Sequence, residues 1–465
     1  MADIRAFPAD FAWGTATASY QIEGATQTDG RGPSIWDTFA RKPGAIHDGS
    51  TGDVAVDHYH RYPEDVRIMS ELGMNAYRFS IAWSRVLPTG TGSINPAGVD
   101  FYRRLSEDLL GHGITPFVTL YHWDLPQPLE DRGGWLERDT AYRFADYAAT
   151  VQGALGDLVK HWTTLNEPWC SSFVGYAAGD HAPGLTLGSR SARAAHHLLL
   201  GHGLAIDALR AADPEASLGI TLNLYSVQPA SDSPADRDAA RRIDGLHNRM
   251  FLDPVLTGQY PADVLKDMGE EEWFAATPPE DLAQIARPLD FLGINYYSHH
   301  TVAAQAPVGG SPTAAHRETG RLYPGSEHLW IVDTGAPRTF MGPICPEGLL
   351  DVLELANGMA PGLDLYVTEN GAPFDDTVEP DGTIQDPGRI DYLAQHVDAC
   401  AEAIARGIPL RGYFVWSLMD NFEWAWGYSR RFGLVYVDYA TQARTIKASG
   451  HWFRSFLERP AAQAT

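Results

Sequence analysis

Two glutamates of this chain stand where a carboxylate is costly. Glu167 in Thr-Leu-Asn-Glu-Pro and Glu369 in Tyr-Val-Thr-Glu-Asn-Gly each close a run of apolar residues, so each belongs at the end of a buried segment, where an unpaired charge is unfavourable. A lone strand-end glutamate often does no more than pair with a cation or cap the next helix. Here the surroundings argue for more. Arg78 lies inside another apolar run, and His122, Trp123, Asn166, Asn223, Asn295, Tyr297 and Trp416 each stand at or just beyond the end of one. Cleavage of a glycosidic bond is the chemistry that needs such a pair of carboxyl groups. One, held protonated near neutral pH, donates to the leaving oxygen; the other, ionised, attacks the sugar or activates a water. The aromatics suit the same ligand. Among 13 tryptophans, Trp123, Trp169, Trp416, Trp424 and Trp426 lie close to these segments, and an indole face stacks on the apolar face of a pyranose. Trp36, Trp135 and Trp452 read as packing between elements.

Residues so far apart in sequence need a scaffold that brings them together. Eight short β-rich runs recur, at 11–15, 75–81, 114–120, 161–165, 217–224, 290–297, 364–369 and 411–418. None shows strict polar alternation, as expected of strands buried on both faces of a parallel sheet. Helical periods fall between them, at 63–72, 99–113, 138–156, 190–212, 346–358 and 388–406. In 99–113, Phe101, Leu105 and Leu109 repeat every fourth residue, and Gly111 and Gly113 mark the stop. Eight strands alternating with helices give a (β/α)8 TIM barrel with long βα loops, spanning residues 1–465 as one catalytic domain. The carboxyl ends of its strands converge on one face, which is where all the unusual polar residues fall. Residues 300–345, rich in Gly, Pro, Ser and Thr and without a period, read as a long loop after the sixth strand on that face.

Composition narrows the partners. Lys and Arg total 35 against 59 Asp and Glu, a formal net charge of −24. That surface repels phosphate backbones and anionic lipid, which excludes nucleic acid and membranes and leaves a small neutral ligand. Cys170, Cys345 and Cys400 are odd in number and widely spaced, a pattern with no disulfide framework and no zinc site. The N-terminal residues carry no basic segment followed by an apolar stretch, and no apolar run is long enough to span a bilayer. The expectation is a cytoplasmic protein. The close pairs His58/His60 and His299/His300 lack an acidic partner at metal-binding spacing and read as ordinary histidines.

Seven segments in order, FAWGTATASYQIEG (11–24), YRFSIAWSRVLP (77–88), YHWDLPQPL (121–129), TLNEPWC (164–170), GINYY (293–297), YVTENG (366–371) and WSLMDNFEWAWGYSRRFGLVYVD (416–438), carry a resemblance to glycoside hydrolase family one, the β-glucosidase family, over nearly the full length. The resemblance implies a retaining β-glycosidase, most simply a β-glucosidase, acting on small β-glycosides or oligosaccharides without metal or organic cofactor. It implies Glu167 as general acid/base and Glu369 as nucleophile. Arg78 and Tyr297 would contact Glu369 and keep it ionised, with Asn295 beside them in the catalytic group. Asn166 would hold the sugar 2-hydroxyl. Gln21, His122, Glu423 and Trp424 would read the 3-, 4- and 6-hydroxyls, over Trp416 as stacking floor, with Trp123, Asn223 and Phe432 completing the substrate contacts. Glucose, galactose and fucose remain open as glycones, as does the oligomeric state.

One segment departs from the family. Met-Gly-Trp usually precedes the seventh strand, its tryptophan lining the leaving-group side; here the run is Met341-Gly342-Pro343, and Trp330 or Trp169 is expected to replace that surface. Two rivals are weaker. A 6-phospho-β-glycosidase would carry Ser, Lys and Tyr where this chain has Glu423, Arg430 and Phe432, and a carboxylate at 423 repels phosphate. An inactive glycan-binding barrel would have lost one of the two glutamates.

Overall fold

The computed structural model describes residues 2–306, 311–312 and 322–458. Its centre is a closed parallel barrel. The strands are β1 (Ala12–Ala16), β2 (Ala76–Ser80), β3 (Thr115–Tyr121), β4 (His161–Asn166), β5 (Ser217–Asn223), β6 (Phe291–Asn295), β7 (Asp364–Asn370) and β8 (Leu410–Trp416). Each pairs with its sequence neighbours, and β1 closes the ring against β8. Each sequence run thus became one strand, because strands buried on both faces have no polar side to blur the signal.

The interior is filled by complementary sizes. Phe117, Phe414, Tyr366 and Phe291, from four strands, pack ring against ring with centroids 5.0–5.6 Å apart. Gly219 leaves room for them: a Cβ there would sit 2.5 Å from the Phe291 ring. This aromatic plug closes the amino end of the barrel, and the polar side chains collect at the other.

Helices Pro96–Gly111, Asp139–Leu155, Ala192–Ala212, Pro346–Met359 and Pro387–Ala405 lie between successive strands. The helix expected over 63–72 begins earlier, at His58, and contains Pro63 in its interior. The stretch 300–345 differs from the expected loop. His299–Ala303, Ser311–Pro312 and Trp330–Ile331 join Ser226–Pro229 in a four-stranded sheet, and Arg338–Thr339 pairs with Gly342–Pro343. Two-residue strands are too short to leave a period. Residues 307–310 and 313–321 of that stretch lie outside the described residues.

Buried charges tie the carboxyl-end loops together. Asp420 accepts from Lys447 at 2.7 Å and Arg431 at 2.6 Å, while Asp376 accepts from Arg389 at 3.0 Å and is also paired with Lys447. The loop after β7 is thereby anchored to the segment after β8 that carries Glu423 and Trp424. Removing one member of such a network strands a buried charge, whereas the intact set holds one loop geometry. Among the described residues no helix is long and apolar enough to cross a membrane.

Candidate active site

Both glutamates emerge where a barrel strand ends irregularly. The register slips between Thr163 and Asn166 on β4, and between Val367 and Glu369 on β7; such bulges re-aim side chains next to sites. Glu167, the first residue past β4, is held at φ 45°, and Trp123 and Trp424 also have positive φ, at 75° and 47°. A non-glycine backbone in this region is strained and persists only when its surroundings impose it. All three residues line one cavity at the carboxyl end of the barrel.

A continuous polar network joins them. Arg78 Nη1 donates to Glu369 Oε1 at 2.5 Å and its Nη2 donates to Asn166 Oδ1 at 2.6 Å. The Tyr297 hydroxyl donates to Glu369 Oε2 at 2.6 Å. Asn295 Nδ2 donates to Glu167 Oε1 at 2.6 Å and to Asn166 Oδ1 at 3.0 Å, while Asn295 Oδ1 accepts from the Thr368 hydroxyl at 2.7 Å. Asn166 Nδ2 donates to His122 Nε2 at 2.9 Å, which places the imidazole proton on Nδ1. On the far side Gln21 Nε2 reaches the Phe422 carbonyl at 2.9 Å and Glu423 Oε2 at 3.3 Å.

The two carboxyl groups share a cavity but not an environment. Burial, reinforced by the negative charge of Glu369, pushes Glu167 up to about 7. Glu369 is raised as well, because burial outweighs its partners; Arg78 and Tyr297, which do contact it as expected, pull it back without bringing it below the ordinary carboxylate range. The ordering is set by those partners. Glu369 has a guanidinium and a phenol, Glu167 an amide and a thiol, so Glu369 ionises first. Burial, with the charge of Glu369 adding to it, takes Glu423 to about 8. Burial also depresses His122 well below the usual histidine value, so it is neutral.

The cavity brings together most of the residues singled out in the sequence: His122, Trp123, Glu167, Asn223, Asn295, Tyr297, Glu369, Trp416, Glu423, Trp424 and Phe432 all line it. Arg78, Asn166 and Gln21 stand behind that wall and reach it through hydrogen bonds. Neither expected replacement for the missing tryptophan lines it. Trp169 is buried and stacked on His247 with centroids 4.4 Å apart, and Trp330 is paired with Ala303 in the small sheet. The aromatic edge is instead Phe340, set edge-on to Trp426 with centroids 4.7 Å apart, with Tyr225 and Met341 also lining the cavity. Phe340 lies in the stretch without a period, where no sequence pattern marks it. Cys170 and His181, also in the lining, look like core residues in sequence. The histidine pairs have ordinary partners: His58 bonds Asp65, His60 bonds Asp57, His299 bonds Thr301, and His300 stacks on Tyr225.

A closed parallel barrel whose carboxyl face holds two carboxyl groups with different hydrogen-bond partners in one cavity, ringed by indoles and amides, is the arrangement of an O-glycoside hydrolase. The comparisons agree: the chain belongs to glycosyl hydrolase family 1, whose family model matches residues 4–461. A thermostable β-glucosidase B of Thermobispora bispora is 51% identical over 453 residues, covering 97% of this chain and 91% of that protein. A bifunctional β-D-glucosidase/β-D-fucosidase of Bifidobacterium breve is 48% identical, covering 98% of this chain and 99% of that protein. The crystal structure of a psychrophilic β-glucosidase from Micrococcus antarcticus superposes with a TM-score of 0.93 at 51% identity, covering 97% of each chain.

Proposed function

We propose that this enzyme is a retaining β-glucosidase that removes terminal non-reducing β-D-glucosyl residues from oligosaccharides and from aryl or alkyl glucosides. The observation that carries this reading is the unequal pairing of two carboxyl groups in one cavity. Glu369, beside Arg78 and Tyr297, is the nucleophile; Glu167, beside neutral partners, is the acid. In the first step Glu167 gives its proton to the departing oxygen as Glu369 attacks the anomeric carbon. Once Glu369 is a neutral ester its charge no longer holds up the proton affinity of Glu167. The ionised Glu167 then takes a proton from water, which releases the sugar with its configuration kept.

The remaining roles follow from position. Asn166, held by Arg78 and Asn295, is placed for the 2-hydroxyl, a contact that strengthens as positive charge develops on the ring. His122 Nδ1 and Gln21 Oε1 are buried without a protein partner, a donor and an acceptor of the kind sugar hydroxyls satisfy. Trp416 and Trp424 supply the stacking faces. The B. breve relative's second named activity, on fucosides, leads us to expect tolerance at the 6-position. Working in the cytoplasm, degrading cellulose fragments, needing no cofactor and acting through 1–465 as one catalytic domain complete the proposal. Glu423, a carboxyl taken by burial to about 8, gives a phosphorylated glycone no cation to pair with at that place in the cavity.

A screen of nitrophenyl β-glycosides with proton NMR of the first product tests it. Glucoside is expected to be cleaved fastest and to release the β-anomer; α-anomer, or preference for a 6-phosphoglucoside, overturns the reading. The pH dependence has a definite sign. Activity needs Glu369 ionised and Glu167 protonated, so kcat/KM rises as pH passes up through the Glu369 ionisation and falls as pH rises through about 7, where Glu167 loses its proton. A profile that stays flat from about pH 4 to about pH 9 contradicts the mechanism.

A further inference from the structure

We propose that Cys170 is a positioning residue for this reaction: its thiol fixes the oxygen of Glu167 that carries the transferable proton and balances that carboxyl between its acid and base forms. The inference rests on Glu167 being the general acid/base. The two oxygens of Glu167 are not equivalent. Oε1 accepts a short amide N–H bond from Asn295 at 2.6 Å, whereas Oε2 accepts only from the Cys170 thiol, a weak donor, at 3.1 Å. The proton therefore resides on Oε2, the oxygen whose bond is the weaker to give up.

The sulfur is held there by the backbone. Cys170 opens the π-helix Cys170–Ala178, and its N–H donates to the Glu167 carbonyl at 2.9 Å. One turn thus delivers both bonds to the same glutamate. Cys170 is 5% exposed yet lines the catalytic cavity. Burial, then the charge of Glu167, pushes the thiol well above its usual range, so it stays S–H throughout the cycle. It can donate to the carboxylate but does not compete for the proton being transferred. A thiol is also a weak donor. A hydroxyl at this place would bind the carboxylate more strongly and favour the base form; an alanine would leave Oε2 without a donor and favour the acid form.

The charged and titratable groups around Glu167 are Glu369 on β7, Glu423 after β8, Arg78 on β2, Tyr297 after β6 and Tyr225 after β5. Substitution at Cys170 leaves them all in place. Cys170→Ser is expected to move the alkaline limb of kcat/KM down by about half a unit to one unit, and Cys170→Ala to move it up by a similar amount, with the acid limb unmoved. Carbon-13 NMR of the Glu167 carboxyl should titrate with the same opposed shifts. Identical midpoints in all three proteins, shifts of the same sign in both variants, or an even loss of activity at every pH and for every leaving group would overturn the proposal. Serine differs by one atom and carries the test alone if the alanine variant does not fold. If wild type lacks an alkaline limb, the acid/base reading fails; a wild-type limb that neither variant moves removes only the role of Cys170.

Discussion

Glu369→Gly should reduce hydrolysis of every β-glucoside by on the order of 10⁴-fold or more, since the proposed nucleophile of the covalent intermediate is removed. The loss should be chemical rather than structural. Arg78 keeps its second bond, to Asn166 at 2.6 Å, so the surrounding network survives the deletion. The variant leaves a hole of carboxylate size beside a guanidinium and a phenol, a ready site for a small anion. Azide or formate added with an activated β-glucoside should therefore enter it and attack the anomeric carbon from the face Glu369 occupied. The aryloxide leaves, and the azide product is the α-glucosyl azide, with configuration inverted because no second displacement follows. Near-normal hydrolysis by Glu369→Gly would remove this residue from its role. Lost activity with no rescue, or rescue giving the β-azide, would place the nucleophile elsewhere in the cavity.

That prediction could be framed from sequence because the barrel and its two glutamates announce themselves. Strands buried on both faces are read from apolar runs, and the run at 161–165 became β4 with one residue added. A carboxylate at the end of such a run is conspicuous because burial makes it expensive. Other features gave no such signal. Phe340 sits between two-residue strands, so its place at the cavity edge arises from tertiary packing alone. Cys170 has the composition of a core residue, and only its 3.1 Å approach to Glu167 shows otherwise. Trp169 misled in the opposite sense. It lies two residues from Glu167 in sequence, yet the turn that aims Cys170 at Glu167 sends its indole onto His247. The net rise of Glu369 despite Arg78 was equally hidden, since burial enters only once the chain is folded.

Glu167→Ala should divide substrates by how much their leaving groups need a proton. For a dinitrophenyl glucoside the departing oxygen is stable as an anion, so kcat/KM, which reports the first displacement, should fall about tenfold or less. For an alkyl glucoside or a cello-oligosaccharide the same step should slow by roughly 10³-fold or more, within the range general acid catalysis supplies. The second displacement also loses its base in this variant. With the dinitrophenyl substrate the glycosyl-enzyme should therefore accumulate, giving a burst of phenolate followed by a slow steady rate and a lowered KM. Azide, which needs no deprotonation, should restore turnover and yield the β-glucosyl azide, the stereochemistry opposite to that from Glu369→Gly. The two variants then form a matched test of one geometry: the anion replaces the nucleophile on one face of the sugar and the activated water on the other. Equal losses for good and poor leaving groups would show that Glu167 does not carry the proton. An α-azide from Glu167→Ala would place it on the wrong face of the sugar.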